Sequence, residues 1–287
     1  MHTTRQGRAH QGVVELAYEV THPVEEERDT PGLIFVGGWG ESGQTWRQQV
    51  AWFAPRFPTL TYDRRGLGQS SHPDHQDAYT VEQELADLST LVMATGLAER
   101  PLWLIGHSFG GHLLVHWLLQ EQANHHTRAK KLVLLAPTSR AICDENTPFG
   151  SYSEQEVQER NAALVHGDFR YLQQYAQQAI PEGGQATEAL RQAIAHVVPA
   201  IMPAHIAVWS FTLYFSQDVR PLLPKLQLPV LVISGERDRT MPPAAGADVV
   251  ACLPHAKQVV IPQVGHLLHL TAAATINRLI DEFLGIP

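Results

Sequence analysis

A serine, an aspartate and a histidine occur along this chain, in that order, each at the end of an apolar run. In LIGHSFGGHLL (104–114), Ser108 follows the run PLWLI and opens a helical pattern, with Gly106 and Gly110 two residues to either side. A G-x-S-x-G turn between a strand and a helix holds the serine hydroxyl out for attack. The glycines remove side chains that would collide across so tight a turn, and the helix N-terminus offers unpaired N–H groups beside the reacting carbon. A hydroxyl is a weak nucleophile and needs a base that is itself oriented by an acid. Asp238 follows the run PVLVISG and His266 follows QVVIP, with Glu236 the nearest substitute acid. Singly, the three read as an incidental turn serine, a loop or capping aspartate and a polar helix-terminal histidine. Together, in this order, they read as nucleophile, acid and base for acyl transfer.

A tetrahedral oxyanion needs two backbone donors. Phe109 N–H, directly after the serine, is one. The turn after LIFV reads GGWGESGQTW and should supply the other. Trp39 N–H is expected, with Gly38 the neighbouring alternative, because Gly37-Gly38 lets the backbone approach closely. His107, beside the nucleophile, is expected to face neighbouring backbone or the pocket. In the aromatic stretch around HIAVWSFTLYF, Met202, Trp209 and Phe215 are pocket candidates that read equally well as core. His112 and His116 stand at i, i+4 like a zinc pair, but no Glu follows His112 and no third ligand suggests itself. They are expected as polar positions on a partly exposed helix, and no metal is expected. His269 is expected on a helix surface or at a core edge. No G-x-G-x-x-G or P-loop pattern occurs, so no nucleotide cofactor is implied.

These groups need a scaffold. GVVELAYEV (12–20) alternates with period two, as a strand with one wet face should. LIFV, LTY, PLWLI, KLVLLA, PVLVIS and QVVIP are short continuous apolar runs, suited to parallel strands buried on both faces. Between them lie helical patterns: Leu113, Leu114, Trp117 and Leu118 share one stripe, and Leu85, Leu88 and Val92 another. Alternating strands and helices predict an α/β fold, a mostly parallel open sheet with right-handed crossovers. The rhythm fails over 139–228, where Gln- and Ala-rich helical segments replace strands. The predicted organisation is a core of 1–138 and 229–287, with a helical cap inserted at 139–228.

The 287 residues suffice for one large α/β domain with such an insertion. The net charge, 21 − 29 = −8, and the lack of a basic cluster argue against nucleic acid or an anionic membrane surface. The two cysteines, Cys143 and Cys252, form no CxxC pair, so neither a disulfide scaffold nor a redox motif is read. MHTTRQGRAHQG lacks an apolar signal region and no run is long enough to cross a bilayer, which gives a cytoplasmic expectation.

The segments FVGGWGESGQTW (35–46), YDRRGLGQSS (62–71), GHSFGG (106–111), LPVLVISGERD (228–238) and IPQVGHLLHL (261–270) resemble the α/β-hydrolase superfamily. The resemblance spans most of the chain outside the cap and implies Ser108 as nucleophile, Asp238 as acid and His266 as base. It also implies that Asp63 and Arg64 brace a structural loop. One position departs from it: many members carry His-Gly where this chain has Gly37-Gly38. The expected activity is that of a cofactor-free serine esterase on a small, mostly apolar ester or lactone. Three rivals are perhydrolysis as in cofactor-free haloperoxidases, a cofactor-free dioxygenase, and a non-catalytic ligand receptor. Aspartate-nucleophile dehalogenases and epoxide hydrolases are set aside, since position 108 is serine.

Overall fold

The apolar runs form strands, buried as expected except for QVVIP, which lies at a sheet edge and leaves Val260 exposed. In the computed structural model, which describes residues 2–285 apart from 26, 28, 127, 146, 169 and 182–184, eight strands make one sheet. They are β1 (His2–Gln11), β2 (Val14–Pro23), β3 (Gly32–Val36), β4 (Thr59–Tyr62), β5 (Leu102–His107), β6 (Ala129–Leu135), β7 (Val230–Gly235) and β8 (Ala256–Ile261). The spatial order is β1-β2-β4-β3-β5-β6-β7-β8. β1 and β4 flank β2 antiparallel, and the pairings from β4 through β3 to β8 are parallel.

Period-two alternation sends successive residues of the central strands to opposite layers. Ile34, Val36, Leu132, Leu134, Val230 and Val232 pack on one side, and Leu33, Phe35, Val133, Leu135, Leu231 and Ile233 on the other. Helices cover both faces. On the first lie α2 (Val81–Ala94), α3 (Phe109–Ala123) and α8 (Pro243–Cys252); on the second lie α1 (Arg47–Phe53) and α10 (Ala273–Leu284). β1 carried no sequence signal because it is an edge strand with mostly exposed, polar side chains. It is held by its ladder to β2, from His2 against Pro23 to Gln11 against Val14.

Between β6 and β7 the described residues form four α-helices, α4 (Glu154–Val165), α5 (Arg170–Ala179), α6 (Gln185–Ile201) and α7 (Ala204–Phe215). Ser153 and Glu156 close a capping box at the start of α4. The apolar faces of this insertion are packed onto the core, Val198, Met202 and Ile206 against Leu67 and Tyr79, and Ile180 against Leu267. The helix α9 (Leu268–Thr271) is a single turn that places His269 inside the core. Among the described residues no single helix is long and apolar enough to cross a membrane.

Candidate active site

β5 ends at His107 and α3 begins at Phe109, so Ser108 makes the whole turn between them with φ 50° and ψ −119°. A serine with positive φ is strained and holds only where its surroundings enforce it. Here the Ser108 amide donates to Leu135 O at 2.9 Å, and the flanking chain is packed without room for side chains. A Cβ on Gly110 would stand 2.2 Å from Val36 O, and one on Gly106 2.8 Å from Gly111 N.

Asp238 lies three residues past the end of β7 and is buried. Its Oδ1 accepts from the Thr240 and Met241 amides, both at 2.8 Å. Its Oδ2 lies 2.8 Å from His266 Nδ1. The carboxylate is thereby fixed at both oxygens, and it fixes the imidazole tautomer with the proton on Nδ1. The His266 amide in turn donates to Ala179 O at the end of α5 at 2.8 Å, tying this loop to the insertion. Glu236, the substitute acid, faces elsewhere, accepting from Gln263 at the surface.

The loop after β3 is held from both sides. Gly38 N–H donates to Glu41 Oε2 at 2.7 Å, and Gly38 O accepts from Arg64 Nη2 at 2.9 Å. Arg64 also pairs with buried Glu84 at 3.1 Å and lies over the Phe109 ring, so it braces more than its own loop. Asp63 accepts from the Gly43 and Gln69 amides at 2.8 Å each. Trp39 turns its indole N–H to Ser210 Oγ in α7 at 3.0 Å.

Beneath this loop lie two ionisable groups in contact. Glu41 Oε1 is 2.8 Å from His107 Nδ1, an ion-pair contact rather than a well-directed hydrogen bond, and His107 Nε2 donates to the His266 carbonyl at 3.0 Å. Burial alone would push the Glu41 carboxyl up. The charge on His107 and the Gly38 N–H outweigh it and hold Glu41 well below the usual carboxylate range. Burial would likewise discharge His107, but Glu41 raises it above an ordinary histidine.

Ser108, His266, Gly38, Trp39, Glu41 and His107 line one cavity of about 30 Å³. It is also lined by Tyr152, Tyr171, Tyr175, Phe211, Tyr214 and Phe215 from the segment between β6 and β7. The Tyr214 hydroxyl is buried beside Ser108 without a well-formed hydrogen bond, and burial keeps its phenol protonated far above neutral pH. Of the expected pocket residues, Gly38, His107 and Phe215 reach this cavity. Met202 and Trp209 do not. Met202 packs against Leu67 and Ile206, and Trp209 meets Tyr79 at 5.7 Å and His205 edge-on at 4.9 Å, because their side of the α6–α7 corner meets the core loops.

Two histidines also sit elsewhere than expected. His112 is buried, not on a partly exposed face, since α3 runs under both the sheet and α7; its Nε2 meets Thr138 O at 2.7 Å. His269 is wholly buried and stacks on Trp46 at 4.6 Å between ring centroids. Sequence reading missed Glu41 and the tyrosines. Tyr171 and Tyr175 stand at i, i+4, as do Phe211 and Phe215, which is a legible shared face; a lone Glu in a loop gives no such signal.

Residues 31–273 match the family model described as the alpha/beta hydrolase fold. The chain is 26% identical over 255 residues to a pimeloyl-[acyl-carrier protein] methyl ester esterase from Vibrio atlanticus, covering 85% of this chain and 90% of that protein. Among solved structures, a bromoperoxidase from Bacillus anthracis superposes with a TM-score of 0.84 at 23% identity, covering 98% of this chain and 100% of that one. An enol-lactonase from Burkholderia xenovorans superposes with a TM-score of 0.77 at 22% identity, covering 97% and 100%. With the sheet order, the turn at Ser108 and a family match over most of its length, this chain belongs to the α/β-hydrolase fold family.

Proposed function

We propose that the chain is a cofactor-free serine hydrolase of carboxylic esters, lactones included, with Ser108 as nucleophile, His266 as base and Asp238 as the orienting acid. The observation that carries this reading is the 2.8 Å contact of His266 Nδ1 with Asp238 in a cavity shared with the strained turn of Ser108. His266 Nε2 takes the Ser108 proton as Oγ attacks the ester carbonyl, and the tetrahedral oxyanion forms. Phe109 N–H and Trp39 N–H hold that oxyanion. Gly38 is the poorer donor because its N–H is already given to Glu41. His266 then protonates the leaving alcohol, and a water it activates releases the acid from the acyl-enzyme.

The segment 139–228 acts as the cap, since Tyr152, Tyr171, Tyr175, Phe211, Tyr214 and Phe215 close the cavity. That lining is mostly aromatic, and among the described residues its charge-bearing members are Glu41, His107 and His266 from the core. It suits a small, mostly apolar acyl group. A relative acts on a methyl ester, as its name states, which fits a small leaving alcohol.

The test is a fluorophosphonate probe together with p-nitrophenyl esters of graded length. Ser108 becomes labelled, and Ser108→Ala loses ester turnover by at least about 10⁴-fold while keeping its Tm within a few degrees. Near wild-type turnover by the alanine variant refutes the mechanism.

A further inference from the structure

The charged pair under the oxyanion loop has no part in the proton transfers above, yet it touches every moving part. Glu41 Oε2 takes the Gly38 N–H at 2.7 Å, which fixes the peptide immediately before Trp39. Glu41 Oε1 faces His107, the residue before the nucleophile, and the other nitrogen of that ring donates to the carbonyl of His266 at 3.0 Å. One carboxylate thus connects the loops of all three reacting elements. Its side chain also occupies the space that residue 37 leaves open: a Cβ on Gly37 would lie 3.1 Å from Glu41 Cβ and 3.4 Å from its Oε2.

We infer that Glu41 is a positioning residue, whose carboxylate fills the place of a side chain at position 37 and, through His107, aligns the oxyanion loop with His266. This rests on the catalytic reading of Ser108 and His266 given above. The His107 ring meets acceptors on both sides, a carboxylate at Nδ1 and a carbonyl at Nε2, so both nitrogens carry protons and the ring is an imidazolium. An imidazolium held by an ion pair on one side and a charge-assisted hydrogen bond on the other ties the two loops together. Orienting a backbone donor in this way matters because one correctly aimed oxyanion donor is worth about 10²–10³ in kcat.

A cation is a poorer occupant of this cluster. Glu41, His107 and His269 hold ligand atoms within 4.8 Å of one another. But Gly38 N–H already takes one carboxylate oxygen, His107 faces the other, and the second His107 nitrogen is spent on the His266 carbonyl. His269 alone offers uncommitted nitrogens.

Two variants of nearly equal size separate positioning from space-filling. Glu41→Gln keeps an acceptor for Gly38 N–H and a polar partner for a neutral His107; Glu41→Met fills the same volume with neither. The methionine variant should lose kcat about 10²-fold with KM within about threefold, and the glutamine variant, which keeps the acceptor for Gly38 N–H but loses the charge on the bridge, should lose about tenfold. Two folded variants that behave alike, both active or both dead, overturn the proposal. If Glu41→Met does not fold, Glu41→Leu replaces it on the same criteria. Independently, ¹⁵N spectra of histidine-labelled wild type should show both His107 nitrogens protonated at pH 7; a single protonated nitrogen there overturns the proposal without reference to any variant. Ser108→Ala, run in parallel, separates the two claims. If it abolishes turnover while Glu41→Met does not, only the role of Glu41 falls.

Discussion

Asp238 is held at both oxygens: Oδ1 receives two amides and Oδ2 receives His266. Asp238→Asn cannot reproduce this, since an amide offers one acceptor where two oxygens are needed. If its oxygen takes the Thr240 and Met241 amides, its NH₂ confronts Nδ1 and forces the other tautomer, so Nε2 can no longer accept the serine proton. We expect kcat to fall about 10³–10⁴-fold with little change in Tm, measured by ester turnover and thermal unfolding. An activity loss below tenfold would mean that the aspartate does not set the tautomer. Ser108, Asp238 and His266 could be proposed from sequence because acyl transfer needs these residue types and the fold sets their order and places them at strand ends. Glu41 was not legible, because its role comes only from three chain segments converging on it. Nothing in GGWGESG distinguishes it from a solvated loop acid.

The central strands were legible because burial on both faces leaves unbroken apolar runs, and the helices between them followed from that spacing. α3 was legible as a helix, but not in which residues it buries. Its N-terminal half lies inside the molecule, so Gly110, Gly111 and His112 are buried along with the leucines. This close approach of α3 to β3 yields a paired test. A Cβ on Gly110 would press on Val36 O at 2.2 Å, a backbone atom that cannot move aside. A Cβ on Gly111 meets Leu134 Cδ2 at 3.1 Å, the end of a flexible side chain. Gly110→Ala should therefore cost about 2 kcal/mol or more in urea unfolding and remove activity by shifting Ser108. Gly111→Ala should stay within about 1 kcal/mol of wild type, helped by the better helix propensity of alanine. Equal costs at the two positions would show that the crowding at Val36 is not what fixes the turn.

The insertion and the core form one molecule through shared burial, and His112 sits at their junction. It lies in α3, its Nε2 meets Thr138 O just past β6, and its ring lies 5.4 Å from that of Tyr214 in α7. Burial drives its pKa down to about 4 from 6.5, against the raising effects of the Thr138 carbonyl and the Asp218 carboxylate. A histidine depressed in the folded state binds its proton more readily when unfolded. Stability contributed by the neutral ring is therefore full above pH 6.5 and drains away as pH falls toward 4. Other buried groups shift too, Glu84 and Asp87 in the opposite sense because burial raises them. The total acid profile accordingly mixes signs, and a difference between two proteins isolates one group. His112→Gln keeps an N–H donor for Thr138 O and has nothing to titrate. At pH 7 it should unfold within about 1.5 kcal/mol of wild type, since it gives up only the fit of the ring. Between pH 6.5 and 4 wild type should lose more stability than the variant, by on the order of 3 kcal/mol. Urea midpoints at half-unit pH steps measure this directly. Parallel pH curves for the two proteins would mean that His112 takes up its proton without unfolding the chain, and that the junction between insertion and core opens to water on its own.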